Sequence, residues 1–174
     1  MIPLKTSYKE IIGWLFLASL LLSAALWGGR LWNTAALYLG PKTEVELYVA
    51  APGGGLEVVD VRIPKGQLNA ETLWQRLQAV SQDRRPTLLP QGASLLEARQ
   101  EGSTLVISLS GELVRGQYLG SNQELALVYS IVNTMAQLPE IESVQILIEG
   151  RIVESLADHV DLTAPLKPDY SLVA

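Results

Sequence analysis

The sequence predicts an α+β domain in which a mixed or antiparallel β-sheet carries two α-helices on one face, preceded by a single transmembrane helix. Three features lead to this prediction. An uncharged apolar run occupies residues 11–29, five later segments suit β-strands, and two segments repeat apolar residues at helical spacing. The order of these segments, β-β-α-β-β-α-β, is typical of helices that pack on one side of a sheet.

The apolar run near the N-terminus has the length of a membrane span. Nineteen residues in a helix extend about 28 Å at roughly 1.5 Å per residue, close to the ~30 Å hydrocarbon core of a bilayer. Trp14 lies near one end of the run, and Trp27 and Trp32 lie near the other, where indole rings favour the membrane interface. We therefore expect a transmembrane anchor over residues 11–32.

The charges that flank the anchor predict its orientation. Lys5 and Lys9 precede it, whereas Arg30 and Lys42 follow it. Because cytoplasmic flanks are enriched in Lys and Arg, the bias of the N-terminal flank places residues 1–10 in the cytoplasm. The folded domain is then extracytoplasmic, and the protein is a single-pass protein of the cell membrane.

Two alternatives to the anchor remain. Ser23-Ala24-Ala25 could serve as the cleavage site of a signal peptide. The apolar run continues beyond this site through Leu26 and Trp27, which favours an uncut anchor. A buried helix of a soluble domain is the second alternative, but a small domain would have to cover an apolar surface on all sides of it.

The first half of the domain reads as two strands and a helix. Residues 33–43 form a juxtamembrane linker, and residues 45–50 then alternate apolar and polar as a half-buried strand does. The second strand ends at Pro64, because the residue before proline is held extended. Asn69 is the predicted N-cap of the first helix, whose apolar stripe contains Leu73, Leu77 and Val80.

The second half repeats this order. Residues 95–101 and 104–109 flank Gly102-Ser103 and read as a β-hairpin. Ser121 and Glu124 have the spacing of a capping box at the start of the second helix. Apolar residues then follow at helical periodicity, and a final strand over residues 144–149 turns at Gly150.

Composition excludes several functions. The net charge of −5 argues against a nucleic-acid partner, since phosphate binding needs a basic face. The absence of cysteine excludes disulfides, thiolate catalysis, cysteine-based metal sites and lipid attachment through cysteine. The sequence therefore predicts no nucleic-acid binding and no cysteine chemistry.

His159 is the one residue that suggests catalysis or metal binding. It is the only histidine and lies close to Asp158 and Asp161. A single imidazole falls short of the usual metal-ligand set, and no Gly-x-Ser-x-Gly nucleophile is present for it to serve as a base. We therefore predict no catalytic residue, no metal ligand and no cofactor, and expect His159 to fix the C-terminal segment to the domain by hydrogen bonding.

Six segments together resemble the GerM domain, a bacterial family named after a spore-germination protein. They are Val-Glu-Leu-Tyr-Val at 45–49, Val-Arg-Ile-Pro at 61–64, the stretch from 104 to Leu113, the helix at 124–132, the strand and turn at 144–150, and Leu-Ala-Asp-His-Val-Asp-Leu-Thr-Ala-Pro at 156–165. Leu109 stands where the family often has an aromatic residue, and Ala157 and Asp158 replace two glycines.

The resemblance covers residues 44–168 and leaves 169–174 as a tail. It implies a membrane-tethered, non-catalytic module of the bacterial cell envelope that binds envelope proteins or copies of itself. A peptidoglycan-binding or hydrolase-regulating accessory is the alternative, and a role in sporulation does not carry over automatically because relatives occur in bacteria that never sporulate. The residues that match the family signature are Pro64, Glu112, Glu124, Gly150, His159, Asp161 and Pro165.

Overall fold

The computed structural model describes residues 8, 12–20, 22–23, 41–51, 55–83, 87–115 and 119–173. The chain divides into two units, Met1–Pro41 and Lys42–Ala174. In the first unit, residues 12–20 are helical. Within the part of the chain that the structure describes, no helix combines the length and the hydropathy needed to cross a membrane. The predictions for Ala25, Trp27, Trp32 and residues 33–40 fall outside the described residues.

The second unit contains the strands and helices in the predicted order, so the α+β class and the order β-β-α-β-β-α-β are confirmed. Short 3-10 turns lie between several of these elements. The strands and helices are β1 (Lys42–Ala50), β2 (Leu56–Pro64), α1 (Ala70–Gln82), β3 (Leu95–Glu101), β4 (Thr104–Leu109), α2 (Ser121–Met135) and β5 (Ser143–Ile148). With the helical residues 12–20 of the first unit, the described chain has three helices.

The prediction of a single sheet is wrong, because the strands form two sheets. Strands β1 and β2 make a two-stranded antiparallel sheet, whereas β3, β4 and β5 make a three-stranded one. In the second sheet β3 pairs antiparallel with β4, and β4 pairs parallel with β5. Alternation of apolar residues identifies a strand and its buried face, but the choice of neighbour depends on how the helices pack.

Helix α1 begins as the sequence predicts. The side chain of Asn69 accepts a hydrogen bond from the main-chain N–H of Thr72 at 2.8 Å, which is the geometry of an N-cap. Leu73, Trp74 and Leu77 are buried along one face of the helix. Both α1 and α2 pack against β1 and against each other.

The predicted capping box of helix α2 is wrong by one residue. The N-cap is Gly120, and the Gln123 side chain accepts a hydrogen bond from the main-chain N–H of Gly120 at 3.2 Å. Ser121 is exposed, whereas Glu124 has no solvent-accessible surface. Glu124 therefore points into the protein instead of capping the helix.

One hydrophobic core joins the two sheets through the helices. It contains inward-facing residues of all five strands and the apolar residues of both helices. The most buried large side chains in it are Leu47, Ile63, Leu73, Trp74, Leu77, Ile107, Leu109, Leu113, Leu127, Ile131 and Met135. Helix α2 lies at the centre, since nearly all of its residues after the first turn are buried.

Candidate functional site

Helix α2 carries polar side chains into the interior. Glu124, Asn133 and Thr134 each have no solvent-accessible surface. A polar group that leaves water without a hydrogen-bond partner destabilises the protein, so each of these side chains needs a partner inside. The partners lie in other segments, and they make α2 the element that organises the C-terminal part of the chain.

The carboxylate of Glu124 binds the loop that follows β5. Its Oε1 accepts hydrogen bonds from the main-chain N–H groups of Leu156 and Ala157 at 2.9 Å each. Its Oε2 accepts a third hydrogen bond from the main-chain N–H of His159, also at 2.9 Å. We call this carboxylate and its three N–H donors the Glu124 clamp. Hydrogen bonds to an ionised acceptor are about twice as strong as neutral ones, which allows a carboxylate to lie here.

A tight turn aims these three N–H groups at the same carboxylate. The turn places Asp158 at φ +69°, in the left-handed region that glycine adopts most readily. The Ser155 hydroxyl accepts a hydrogen bond from the main-chain N–H of Asp158 at 2.7 Å. Asp158 stands where the GerM-like signature has a glycine, and the positive φ gives the reason for glycine there. Aspartate is among the residues that tolerate this conformation better than most.

Asn133, near the C-terminal end of α2, binds the main chain of residue Asp169 in the C-terminal segment. Its amide nitrogen donates to the carbonyl of Asp169 at 2.7 Å, and its amide oxygen accepts from the N–H of Asp169 at 2.9 Å. The next residue, Tyr170, packs its ring against that of Tyr48 with the ring centroids 5.4 Å apart. Val173 then forms a parallel bridge with Leu56 of β2. Residues 169–173 are thus fastened to the domain by side-chain and main-chain contacts.

Tyr48 links this segment to β1. Its main-chain N–H donates to the buried hydroxyl of Thr134 at 3.0 Å, and its phenol donates to the Glu46 carboxylate. Burial is the main cause that raises the pKa of Tyr48, followed by its hydrogen bond to Glu46. The phenol therefore stays protonated and acts as a hydrogen-bond donor at neutral pH.

A second group of carboxylates lies on the surface where β4 and β5 end. Arg115 approaches Glu112 at 3.4 Å and Glu149 at 3.7 Å between side-chain N and O atoms. A hydrogen bond from the Ser110 hydroxyl is the first cause that holds the pKa of Glu112 below its usual range. We call Glu112, Arg115 and Glu149 the surface triad. The side chains of the triad are 43–71% exposed, so their mutual attraction is weakened by solvent.

The structure places two signature residues at the surface triad. Glu112 belongs to it, and Gly150 follows Glu149 at φ +76°. The main-chain N–H of Gly150 donates to the Ser108 hydroxyl at 2.8 Å. Pro64 lies apart from both groups, at the end of β2, as the sequence predicts.

Three further signature residues belong to the C-terminal loop, which Glu124 of α2 binds. His159 contributes its main-chain N–H to the Glu124 clamp, whereas its imidazole lines a shallow pocket of about 430 Å³ with Asp158 and Asp161. The predicted hydrogen bond of His159 is therefore a main-chain one. Asp161 accepts hydrogen bonds from the N–H and hydroxyl of Thr163 at 2.9 and 2.6 Å. Pro165 is exposed.

The side chains of Glu124 and Asn133 hold the C-terminal segment through hydrogen bonds to its main chain. Within the described ranges, no set of three or more His, Asp or Glu side chains is placed to hold a metal ion. Sequence reasoning missed Asn133 and Thr134, and the available signal was their position on the buried stripe of an otherwise apolar helix. Polar residues on a buried stripe indicate that another segment supplies their hydrogen-bond partners.

Comparison with known proteins agrees with the resemblance read from the sequence. The profile of the family described as "Germane: Sporulation and spore germination" matches residues 46–154. The sequence has no match among curated proteins.

Among the solved structures that the fold resembles are three structures of two bacterial proteins. The first GerMN domain of the sporulation protein GerM from Bacillus subtilis is 18% identical with a TM-score of 0.55, and the match covers 74% of this chain and 98% of that one. The tandem GerMN domains of the same protein are 19% identical with a TM-score of 0.56, over 73% of this chain and 46% of that one.

A candidate lipoprotein from Clostridium perfringens is 22% identical with a TM-score of 0.50, over 74% of this chain and 89% of that one. At these identities the structures show a shared fold and no more. The family profile carries the assignment, because it spans more than half of the chain. This chain belongs to the Germane family of sporulation and spore germination proteins.

Proposed function

We propose that this protein is a membrane-tethered, extracytoplasmic interaction module of the bacterial cell envelope, without catalytic activity of its own. The observation that carries the proposal is the surface of the helical residues 12–20. Trp14, Leu15 and Phe16 are each at least 66% exposed there. A helix that presents large apolar side chains on successive positions requires an apolar environment, and lipid supplies one.

The hydrogen bonds of the domain support a binding role. Two buried side chains of α2, those of Glu124 and Asn133, form hydrogen bonds with main-chain groups of the C-terminal segment. These bonds fix a segment that lacks regular secondary structure to the rest of the domain, and we expect them to make its surface rigid. Rigid surfaces lose little conformational entropy when a partner binds, which suits an assembly module.

The form of membrane attachment follows from the composition. The similar protein from Clostridium perfringens is described as a candidate lipoprotein. This chain contains no cysteine to carry a lipid, so we assign the attachment to the apolar segment of residues 11–32. The charge bias of Lys5 and Lys9 assigns the N-terminus to the cytoplasm.

Cysteine labelling of the full-length protein in intact cells tests the tether and its orientation. Because the chain has no cysteine, Ser7→Cys and Ile152→Cys each introduce a single thiol, and Ile152 is 62% exposed. A membrane-impermeant maleimide should label Ile152→Cys in intact cells and Ser7→Cys only after lysis. Recovery of the protein in the soluble fraction, or labelling of Ser7→Cys in intact cells, would contradict the proposal.

Crosslinking of the full-length protein in cells, followed by mass spectrometry, tests the interaction role. We expect the protein to be linked to envelope proteins or to copies of itself. Co-sedimentation with purified cell wall is the matched measurement for the alternative. Binding to the wall without any protein crosslink would replace the proposal with a peptidoglycan-binding accessory.

A further inference from the structure

The two edges of the three-stranded sheet differ. At the β5 edge, Val144 and Leu166 exchange two main-chain hydrogen bonds of 2.8 Å, so the C-terminal segment covers part of that edge. In the part of the chain that the structure describes, the other edge is β3, which pairs with β4 alone, and six of its seven residues are exposed. An exposed edge strand presents main-chain donors and acceptors to which another strand can add.

The turn of the hairpin determines which main-chain groups of β3 face outward. Gly102, at φ +62°, and Ser103 form the two-residue turn between Glu101 and Thr104. In such a hairpin the two residues that flank the turn form a hydrogen-bonded pair, and hydrogen-bonded positions then alternate along the strand. Arg99 thus bonds inward to β4, whereas the N–H and C=O of Ala98 and Gln100 point to the free edge.

The side chains of β3 alternate in the same way. Glu97, Arg99 and Glu101 share one face, where Arg99 contacts Glu97 at 3.5 Å and Glu101 at 2.7 Å. Ala98 and Gln100 share the opposite face with the core residues Leu105 and Ile107 of β4. The charged face therefore has the sequence acidic, basic, acidic along an open edge.

A groove of about 710 Å³ runs beside this open edge. Ala98 and Gln100 line it together with residues 68–71 before and at the start of α1 and residues 138–141 after α2. Leu96 also lines the groove and is 55% exposed, although it is apolar. A strand added to β3 would extend the sheet over this groove and cover Leu96.

We propose that β3 pairs antiparallel with β3 of a second copy of the chain, with Ala98 of one copy opposite Ala98 of the other. This proposal rests on the proposed function as an interaction module, and it identifies a second copy of the chain as the partner. The charge pattern is the argument for a second copy. In this register Glu97 lies opposite Arg99 of the second copy, and the two-fold axis repeats the contact.

The outward-pointing main-chain groups and the charges of β3 favour the same registers of pairing between the two copies. Pairing about Ala98 uses the outward main-chain groups and opposes unlike charges. Pairing about Arg99 would oppose Arg99 to itself, and it would also need main-chain groups that already bond to β4. Pairing about Gln100 also opposes unlike charges, but its ladder runs into the turn at Gly102. The register about Ala98 gives a ladder over residues 97–99 of both copies, and the ladder stops before Leu96, where a β-bulge interrupts the pairing of β3 with β4.

Disulfide trapping of the full-length protein in cells tests this pairing. Directly opposed residues in a hydrogen-bonded antiparallel pair have Cα atoms about 5.5 Å apart, within the range that a disulfide spans. Ala98→Cys should therefore oxidise to a homodimer, with Ile152→Cys as the exposed control that does not. Equal dimer yields for the two variants would overturn the proposal, as would a higher yield for Gln100→Cys. A disulfide from Ala98→Cys to a different protein would overturn self-pairing and leave the proposed function standing.

Charge exchange in the Ala98→Cys background tests the register. Glu97→Arg and Arg99→Glu should each lower the dimer yield by about tenfold, because two attractive cross-strand pairs become repulsive. Co-expression of the two variants should restore a mixed dimer, in which unlike charges again face each other. Unchanged yields in the single variants, or no recovery in the mixture, would overturn the proposal. Thermal unfolding of each variant checks that the fold is retained.

Discussion

The Glu124 clamp and the surface triad both place carboxylates of the family signature beside the end of a strand or loop, but their surroundings differ. Glu124 is inaccessible to solvent and accepts three main-chain hydrogen bonds. Glu112 is 43% exposed in its side chain and faces Arg115, which is 71% exposed. The comparison teaches that burial and the kind of partner decide what a carboxylate does, since the residue type is the same.

This difference has an energetic basis. A buried carboxylate that loses its donors, or donors that lose their carboxylate, leaves polar groups without water or protein partners. An exposed ion pair that is broken returns both groups to water, so it contributes roughly 0–1 kcal/mol. The clamp should therefore be much more sensitive to mutation than the surface triad.

Removal of the buried carboxylate should have the largest effect. Glu124→Ala should lower the free energy of unfolding by about 3–5 kcal/mol, because three main-chain N–H groups lose an ionised acceptor. Urea unfolding of the full chain in detergent micelles, followed by circular dichroism, measures the loss. Glu142→Ala is the matched control, since Glu142 is exposed. A loss no greater than that of the control would contradict the role of the clamp.

A neutral buried contact should rank second. Asn133→Ala removes both hydrogen bonds to the main chain of Asp169 and should cost about 1–3 kcal/mol. Amide hydrogen exchange should accelerate in residues 169–173 and stay slow in residues 156–159, which Glu124 holds. Asn122→Ala, at an exposed position in the first turn of the same helix, is the control. Equal acceleration of both segments would show that Asn133 supports the whole domain and does not act on the terminal segment alone.

Local sequence signals predicted the elements whose partners are close in the chain. Gly102-Ser103 predicts the hairpin of β3 and β4, and Asn69 predicts the start of α1, because the groups that bond lie within a few residues. The spacing of Ser121 and Glu124 predicted a capping box that does not form, because the partners of Glu124 are distant in the sequence. The donors to Glu124 lie 32 to 35 residues further along the chain, where no local pattern points to them.

Local sequence patterns could not predict the division of the strands into two sheets, for a similar reason. Alternation in β1 predicts a strand with one buried face, yet Tyr48 is buried on the other face, where the ring of Tyr170 packs against it. The segment 156–173 reads as irregular, and it is fixed by Glu124 and Asn133 instead of by its own secondary structure. Both outcomes depend on contacts between distant segments.

The surface triad should respond weakly to mutation. Arg115→Gln removes the guanidinium between Glu112 and Glu149 and should change the free energy of unfolding by less than about 1 kcal/mol. The same urea titration measures it, and 0.5 M salt should reduce any loss because exposed charges are screened at that ionic strength. A loss as large as that of Glu124→Ala would mean that the triad holds the ends of β4 and β5 together.

The smallest expected effect is a pH-dependent one at Asp161. A hydrogen bond from the Thr163 hydroxyl, and then one from the Thr163 N–H, hold the pKa of Asp161 below its usual value. A depressed pKa in the folded state contributes stability above the unfolded value of about 3.9, and that stability is lost as the pH falls through the folded pKa. Asp161→Asn should therefore lower the melting temperature by no more than about 2 °C at pH 7, and the difference should close as the pH falls through the lowered pKa of Asp161. Thr163→Ala, which removes only the hydroxyl donor, should show a smaller difference with the same pH dependence. A difference that persisted in acid strong enough to protonate Asp161 would locate the contribution of Asp161 in packing and not in its charge.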